Sequence, residues 1–376
     1  MSSEAARTAS ALFDPQRLRT ARLARGLRKN QLARACEVTP SAITQYELGK
    51  TRPSPPLVAR LALTLQFPPR YFARDGRPSP QFDIAPAFFR SLARTRQIDR
   101  DQAEAQTAVV WDLVTVIGRH VDLPEPDLPE QHLPEDAPLS AIERAAEIAR
   151  EHWGIGGDSA PSIVALLELY GAVVVRLPSL TPTIDAFSKT ISGRPIVVLW
   201  AGKDNARSRF DAAHELGHLV MHADPEAGNR VLEQQAHTFA QVFLMPTELV
   251  LAHLPRRAPR TSDWEALFEL KRRLGVSIAA LLYRARALGT LSDSQYRRSI
   301  VSMAEMGWRR SEPHDLQSHE TPGLLTQAMA LLTKTRGLTA TALAEETHLP
   351  LDMVNSILAE PRLAAERVMA LQPMVP

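Results

Sequence analysis

Residues 207–222 read RSRFDAAHELGHLVMH. The segment has helical periodicity. His214 and His218 stand four residues apart, so on a helix they share a face and both imidazoles can reach one zinc ion. Glu215 then points beside the metal, where its carboxylate can take a proton from a bound water. His222 is four residues further on. A straight helix rises about 1.5 Å per residue, which places His222 about 6 Å along the axis from His218 and about 12 Å from His214. One ion with bonds of about 2 Å cannot use all three, so His222 is expected to pack or to support a ligand. Working outward, Asp224 to Asn229 reads as a turn, and VLEQQAHTFAQVFLMP (231–246) as a second amphipathic helix. Leu232, Ala236, Phe239, Ala240 and Phe243 mark its buried side. A hairpin of the two helices can bring Glu233 opposite the histidines. Two His and one Glu leave a fourth position for water, the mark of a catalytic zinc.

The chain around this segment has 376 residues, 44% hydrophobic and 23% charged. That length predicts two or three domains, and the composition excludes a wholly disordered or fibrous chain. No run approaches the roughly 18–20 apolar residues of a membrane span. The start, MSSEAARTASALFDPQR, lacks the apolar run of a secretory signal. Cys36 is the sole cysteine, which excludes an intrachain disulfide and a Cys-rich zinc site. These features predict a cytoplasmic protein. The net charge of +2 is unevenly spread: residues 1–80 hold 14 Lys+Arg against 5 Asp+Glu, and the rest holds 30 against 37. A basic head on an acidic body points to nucleic acid at one end.

Residues 26–54, GLRKNQLARACEVTPSAITQYELGKTRPS, explain that charge. Gly26 closes one short helix, and Leu32, Ala33, Ala35 and Val38 outline a second. Thr39 caps a third, which Pro40 opens. Its inner side carries Ile43 and Tyr46; its outer side presents Ser41, Ala42, Thr44 and Gln45. Two helices joined by a tight turn, the second bearing small and amide side chains, fit the major groove. Gln can pair with adenine, and Ser or Thr with several bases. Lys29, Lys50 and Arg52 flank that face beside Arg28 and can hold phosphates. The segment resembles the Cro/C1-type (XRE family) helix-turn-helix domains of bacterial and phage repressors. Arg28-Lys29 depart from that pattern, which usually has a capping Ser or Thr followed by Gln. One such head reads a half-site of double-stranded DNA, so a homodimer is expected.

The helices AHELGHLVMH and E-x-x-A-x-x-FA-x-x-FLMP, with apolar strand candidates at 172–177 and 195–200, resemble the ImmA/IrrE metalloendopeptidases, whose zinc site is thermolysin-like. The resemblance implies His214, His218 and Glu233 as ligands of one Zn2+ (Mn2+ being the alternative), and Glu215 as general base. His237 stands where that family usually places Asn or Asp to orient a histidine. Arg209, His222 and His237 are the candidates for the metal's supporting groups or the oxyanion partner. The implied substrate is a repressor-type protein. A silent metal- or ligand-sensing transcription factor, and a toxin–antitoxin or phage-defence component, are the alternatives.

The expected fold is mainly α, with a small β-sheet in the central domain. Its parts are a helix-turn-helix head at 12–75, a helical linker at 76–138, a zinc domain at 139–260 and a helical extension at 261–312. Within the linker, 88–121 reads as one or two helices, and 122–130 as an extended Pro- and acid-rich connector. Residues 308–321 read as a polar linker. At 323–363, Gly337-Leu338, Leu343-Ala344, Leu349 and Val354 repeat the spacing of Gly26-Leu27, Leu32-Ala33, Val38 and Ile43. This predicts a second, degenerate copy of the head. Its acidic Glu345, Glu346 and Asp352 would be repelled by phosphates, so a protein contact or DNA mimicry is expected of it.

Overall fold

The computed structural model describes residues 3–74, 76, 96–177, 186–222, 229–260, 263–309, 311–314, 316, 320–358 and 372–373. The expectations for 88–95, for most of the turn at 224–229 and for 359–363 lie outside these residues.

The head is built from α1 (Ser3–Ala11), α2 (Pro15–Ala24), α3 (Lys29–Ala35), α4 (Pro40–Glu47), α5 (Pro55–Leu65) and a 3-10 turn (Pro69–Phe72). It begins earlier than residue 12: α1 packs on α5 and the 3-10 turn, and Ser10 Oγ donates to Pro53 O at 2.7 Å. Leu18, Leu32, Ile43, Leu61 and Leu65 are fully buried and form its centre. Gly26, at φ +67°, lets the chain leave α2 in the left-handed region that L side chains rarely adopt.

The segment between head and zinc domain is more than a linker. α6 (Gln97–Ile117) lies against α2, and its stripe of Val109, Val110, Leu113 and Val116 is buried. The Pro-rich connector runs along the central domain, with Gln131 N–H donating to Val220 O and Leu133 N–H to Met221 O.

The central domain holds α7 (Leu139–His152), α8 (Ile163–Leu169), a sheet of β2 (Val173–Leu177), β3 (Ala186–Ile191) and β4 (Arg194–Trp200), then α9 (Asn205–Met221) and α10 (Arg230–Leu244). A two-residue strand, β1 (Val121–Asp122), precedes it. The sheet order is β2-β4-β3; β2 runs parallel to β4 and β3 antiparallel. β3, AFSKTI, was not foreseen in the sequence; it closes on β4 through Ser192-Gly193, both at positive φ, as a two-residue hairpin requires. Alternation assigns the sheet's faces to two different cores. Val173, Val175, Phe187, Ile196 and Val198 join the core that runs through the head, α6 and the C-terminal helices, with the helices Leu324–Arg336 and Leu351–Leu358 packed on β2. Ala172, Val174, Ala186, Val197 and Leu199 join the core of α7, α9 and α10. Burial on both faces explains why β2 and β4 are rich in apolar residues, with Arg176 the one charge inside β2.

Four further helices pack on the second core: α11 (Thr247–Val250), α12 (Asp263–Leu274), α13 (Ile278–Ala287) and α14 (Asp293–Glu305). The C-terminal module is α15 (Leu324–Arg336), α16 (Ala340–Thr347) and α17 (Leu351–Leu358). A second two-residue strand, β5 (Gln372–Pro373), pairs with β1. Leu343, Leu349 and Val354 are buried, and His348 takes a positive φ of 55° at the spacing where Glu37 of the head takes 52°. The module's acidic groups serve contacts within the chain: Asp352 pairs with Arg25 at 2.9 Å, and Glu346 with His120 at 3.2 Å.

Candidate metal centre and nucleic-acid interface

α9 begins at Asp204, whose carboxylate accepts the Arg207 N–H, and α10 begins at Asn229, which caps Val231 N–H. The two helices form an antiparallel hairpin and approach closely at Gly217. A Cβ there would stand 3.0 Å from Cδ1 and 3.2 Å from Cβ of Phe239. This approach brings three ligand atoms together. His214 Nε2 lies 3.2 Å from Glu233 Oε2 and 3.1 Å from His218 Nε2, and His218 Nε2 lies 3.6 Å from Glu233 Oε1. Ligands on a tetrahedral zinc with bonds of about 2.0–2.1 Å stand about 3.3 Å apart, so the triangle fits such an ion. Among the described residues, His214, His218 and Glu233 are the one His, Cys, Asp or Glu group arranged to hold a metal. Burial alone would raise the Glu233 carboxyl, but the two facing imidazoles outweigh it and hold the group well below the usual carboxylate range.

A chain of hydrogen bonds supports His218. Its Nδ1 lies 3.0 Å from Nδ1 of His222. His222 Nε2 lies 2.9 Å from Oε1 of Gln235, and Gln235 Nε2 donates to Pro134 O and Glu135 O. The amide's donors are thus committed, which leaves its oxygen to accept from His222 Nε2–H. Burial, then the neighbouring His218, pushes the His222 pKa down to about 4, so its ring is neutral at pH 7 and Nδ1 accepts from His218. That leaves the lone pair of His218 Nε2 aimed at the ligand triangle. His222 thus lies behind His218, hydrogen-bonded to it and to Gln235. Gln235 was missed in the sequence, where nothing marks it except its place two residues after Glu233.

Glu215 is 1% exposed, and its Oε2 accepts a hydrogen bond from Ser188 Oγ at 2.7 Å. Ser188, itself fully buried, was also missed. A polar residue between Phe187 and Lys189 carries no signal until β3 is recognised. The Arg209 guanidinium is buried and tied to Leu274 O at 3.1 Å, Pro161 O at 2.7 Å, Glu320 Oε1 at 2.6 Å and Ala160 O. It holds loop carbonyls and a carboxylate together. The His237 ring sits against Phe210, with centroids 4.9 Å apart, and Tyr283, at 5.7 Å.

In the head, Thr39 Oγ1 accepts from Ala42 N–H at 3.2 Å and starts α4. Ser41 and Gln45 are exposed, and Ala42 and Thr44 half-buried. Lys50 is exposed near the end of this helix. Lys29, half-exposed, lies 3.5 Å from Glu47 Oε2, and Arg52 donates to Ala11 O at 2.9 Å; both also serve the head's own structure. Arg28 gives α3 no side-chain cap; Gln31 Oε1 instead accepts the N–H of Arg28 itself at 2.7 Å and ties the helix start back to it. Glu47 is buried and meets Arg22 through two bonds of 2.5 and 3.1 Å, fixing α4 against α2.

Comparison with known families agrees with this geometry. Residues 16–72 match the model of a helix-turn-helix domain. Residues 167–286 match a peptidase model described as an IrrE N-terminal-like domain, a match that reaches from α8 through most of α13. The chain thus joins a helix-turn-helix head to an ImmA/IrrE-like domain. No curated protein is significantly similar to it. No helix among the described residues is long and apolar enough to cross a membrane.

Proposed function

We propose that this chain, a helix-turn-helix head joined to an IrrE N-terminal-like domain, is a DNA-binding regulator that also hydrolyses peptide bonds with zinc held by His214, His218 and Glu233. The observation that carries the reading is the ligand triangle with Glu215 fixed beside it. Bound zinc would polarise the peptide carbonyl and acidify its water. Glu215 takes a proton from the attacking water onto its carboxylate and passes it to the leaving amine nitrogen. Ser188 holds Oε2 of that carboxylate, and His222 with Gln235 fixes the His218 tautomer. In the head, α4 lies in the major groove as a homodimer's half-site reader, with Gln45, Ser41, Thr44 and Ala42 toward base edges and Thr39, Lys29, Lys50 and Arg52 toward phosphates. The substrate is a repressor-type protein, brought near by shared DNA, in the cytoplasm.

The test maps new peptide ends by mass spectrometry after zinc-loaded wild-type and Glu215→Gln proteins meet a host lysate, and after each is incubated alone. Cuts made by wild type alone support the peptidase. Identical patterns, with zinc bound by both, refute it and favour a sensor that regulates by binding DNA. The core that joins head, α6, C-terminal module and sheet would serve that second reading.

A further inference from the structure

Beside the ligand triangle lies a cavity of about 420 Å3. Phe210 stands one helical turn before His214 on α9, and His237 one turn after Glu233 on α10. Because the helices are antiparallel, both turns lead away from the metal in the same direction, into this cavity. Four rings from four helices line it: Phe210, His237, Tyr283 of α13 and Tyr296 of α14. They follow one another at centroid distances of 4.9, 5.7 and 6.2 Å, tilted or edge-on. All four are half-buried. Small residues, Ala280 and Val276 among them, complete the wall. Each charged member has an opposite partner: Lys203 pairs with Asp211 within the lining, and Arg207 with the exposed Asp204 outside it at 3.3 Å.

We infer that this cavity is a recognition pocket for an aromatic side chain of the peptide whose backbone lies at the metal. Its volume falls at the small end of ligand sites, about 300–1,000 Å3, which suits one large side chain and not an extended cofactor. Partly exposed rings at mutual tilts offer edge and face contacts that a planar guest completes and an aliphatic one does not. The paired charges leave no single sign to attract an acidic or basic side chain. His237, which departs from the family's usual Asn or Asp, belongs to this wall. The inference rests on the peptidase reading for the guest being a peptide, while the preference for a ring rests on the pocket alone.

The test is ligand-observed NMR on the full-length protein, metal-free and zinc-loaded, with N-acetyl-L-tyrosinamide and N-acetyl-L-leucinamide as probes. Ligands of this size should bind with millimolar Kd, the tyrosine amide at least about fivefold tighter. Ala280→Trp, which fills the cavity, should abolish binding, and Tyr283→Leu should erase the preference. Equal affinity for the two amides in wild type, or undiminished binding in a folded Ala280→Trp, overturns the proposal. Should Ala280→Trp not fold, wild-type selectivity and Tyr283→Leu decide it. Selective binding to a protein with no Glu215-dependent cleavage upholds the pocket and removes the peptidase reading, so the two failures are separable.

Discussion

Gly217→Ala tests the close approach on which the ligand triangle depends. Alanine is the better helix former by about 1 kcal/mol, so on propensity alone the change stabilises α9. The structure opposes it. The new methyl group would meet Phe239 Cδ1, Cγ and Cβ at 3.0, 3.1 and 3.2 Å. Phe239 is fully buried and stacked on Phe243 with centroids 5.7 Å apart, so its ring cannot turn aside. Its Cβ is part of the clash, so α10 itself must move. Overpacking of this kind costs about 1–3 kcal/mol. Net of the propensity gain, the variant should be less stable by up to about 2 kcal/mol. Glu233 rides on α10, so zinc affinity should fall as well. Urea unfolding and competitive zinc titration read both effects. Gly157→Ala is the control, since nothing lies within 4 Å of a Cβ there; it should change stability by less than about 0.5 kcal/mol. A Gly217→Ala protein as stable as wild type, with unchanged zinc affinity, would show that the close approach does not hold the site together.

Glu47→Ala leaves the buried Arg22 guanidinium with Leu27 O, at 2.7 Å, as its remaining described acceptor. It should cost about 3–5 kcal/mol, read by chemical denaturation; a loss below about 1 kcal/mol would refute the buried-pair reading. Glu168 accepts Gly323 N–H at 2.9–3.0 Å, and burial, partly offset by backbone N–H groups, pushes its pKa up to about 8. The folded state therefore keeps a proton that the unfolded chain gives up near its ordinary value. Stability should fall from there to about pH 8 with a slope approaching 1.4 kcal/mol per pH unit. Urea midpoints at several pH values should show that slope reduced in Glu168→Gln, and an unaltered slope would assign it elsewhere. Lys50→Ala should weaken DNA binding on all sequences and lower the salt slope by about 1. Gln45→Ala should instead relax discrimination at one base pair by about 1–3 kcal/mol; fluorescence anisotropy on matched and mismatched duplexes separates the two.

The legible parts of this protein are those whose information is local. His214, His218 and Glu215 declare themselves by helical spacing, and Glu233 by one hairpin. Thr39 and Pro40 announce α4, and apolar-rich runs announce β2 and β4. Other features depend on contacts across long stretches of chain. Ser188 matters because β3 lies beside α9, and Gln235 because the connector at Pro134 and Glu135 passes beneath it. Arg209 looked available beside the metal helix until Glu320, more than a hundred residues later, was seen to hold it. α6 read as a linker because its stripe gives no sign of which surface it meets.

The central sheet also has a mechanical meaning. Phe187 and Ser188 are consecutive on β3, yet one presses into the apolar core shared with α6 and the C-terminal module and the other grips the carboxylate of Glu215. A strand that is a partition between two rooms cannot shift for one without shifting for the other. Strain imposed on the head by bending or gripping a duplex therefore has a route to the proton-handling group through α6 and the C-terminal module, whose α15 and α17 meet β2 of the same sheet. The converse also holds: stripped of the C-terminal module, whose α15 and α17 pack on β2, the metal-binding half would present a bare apolar wall to water, and should associate or unravel rather than persist as a soluble fragment.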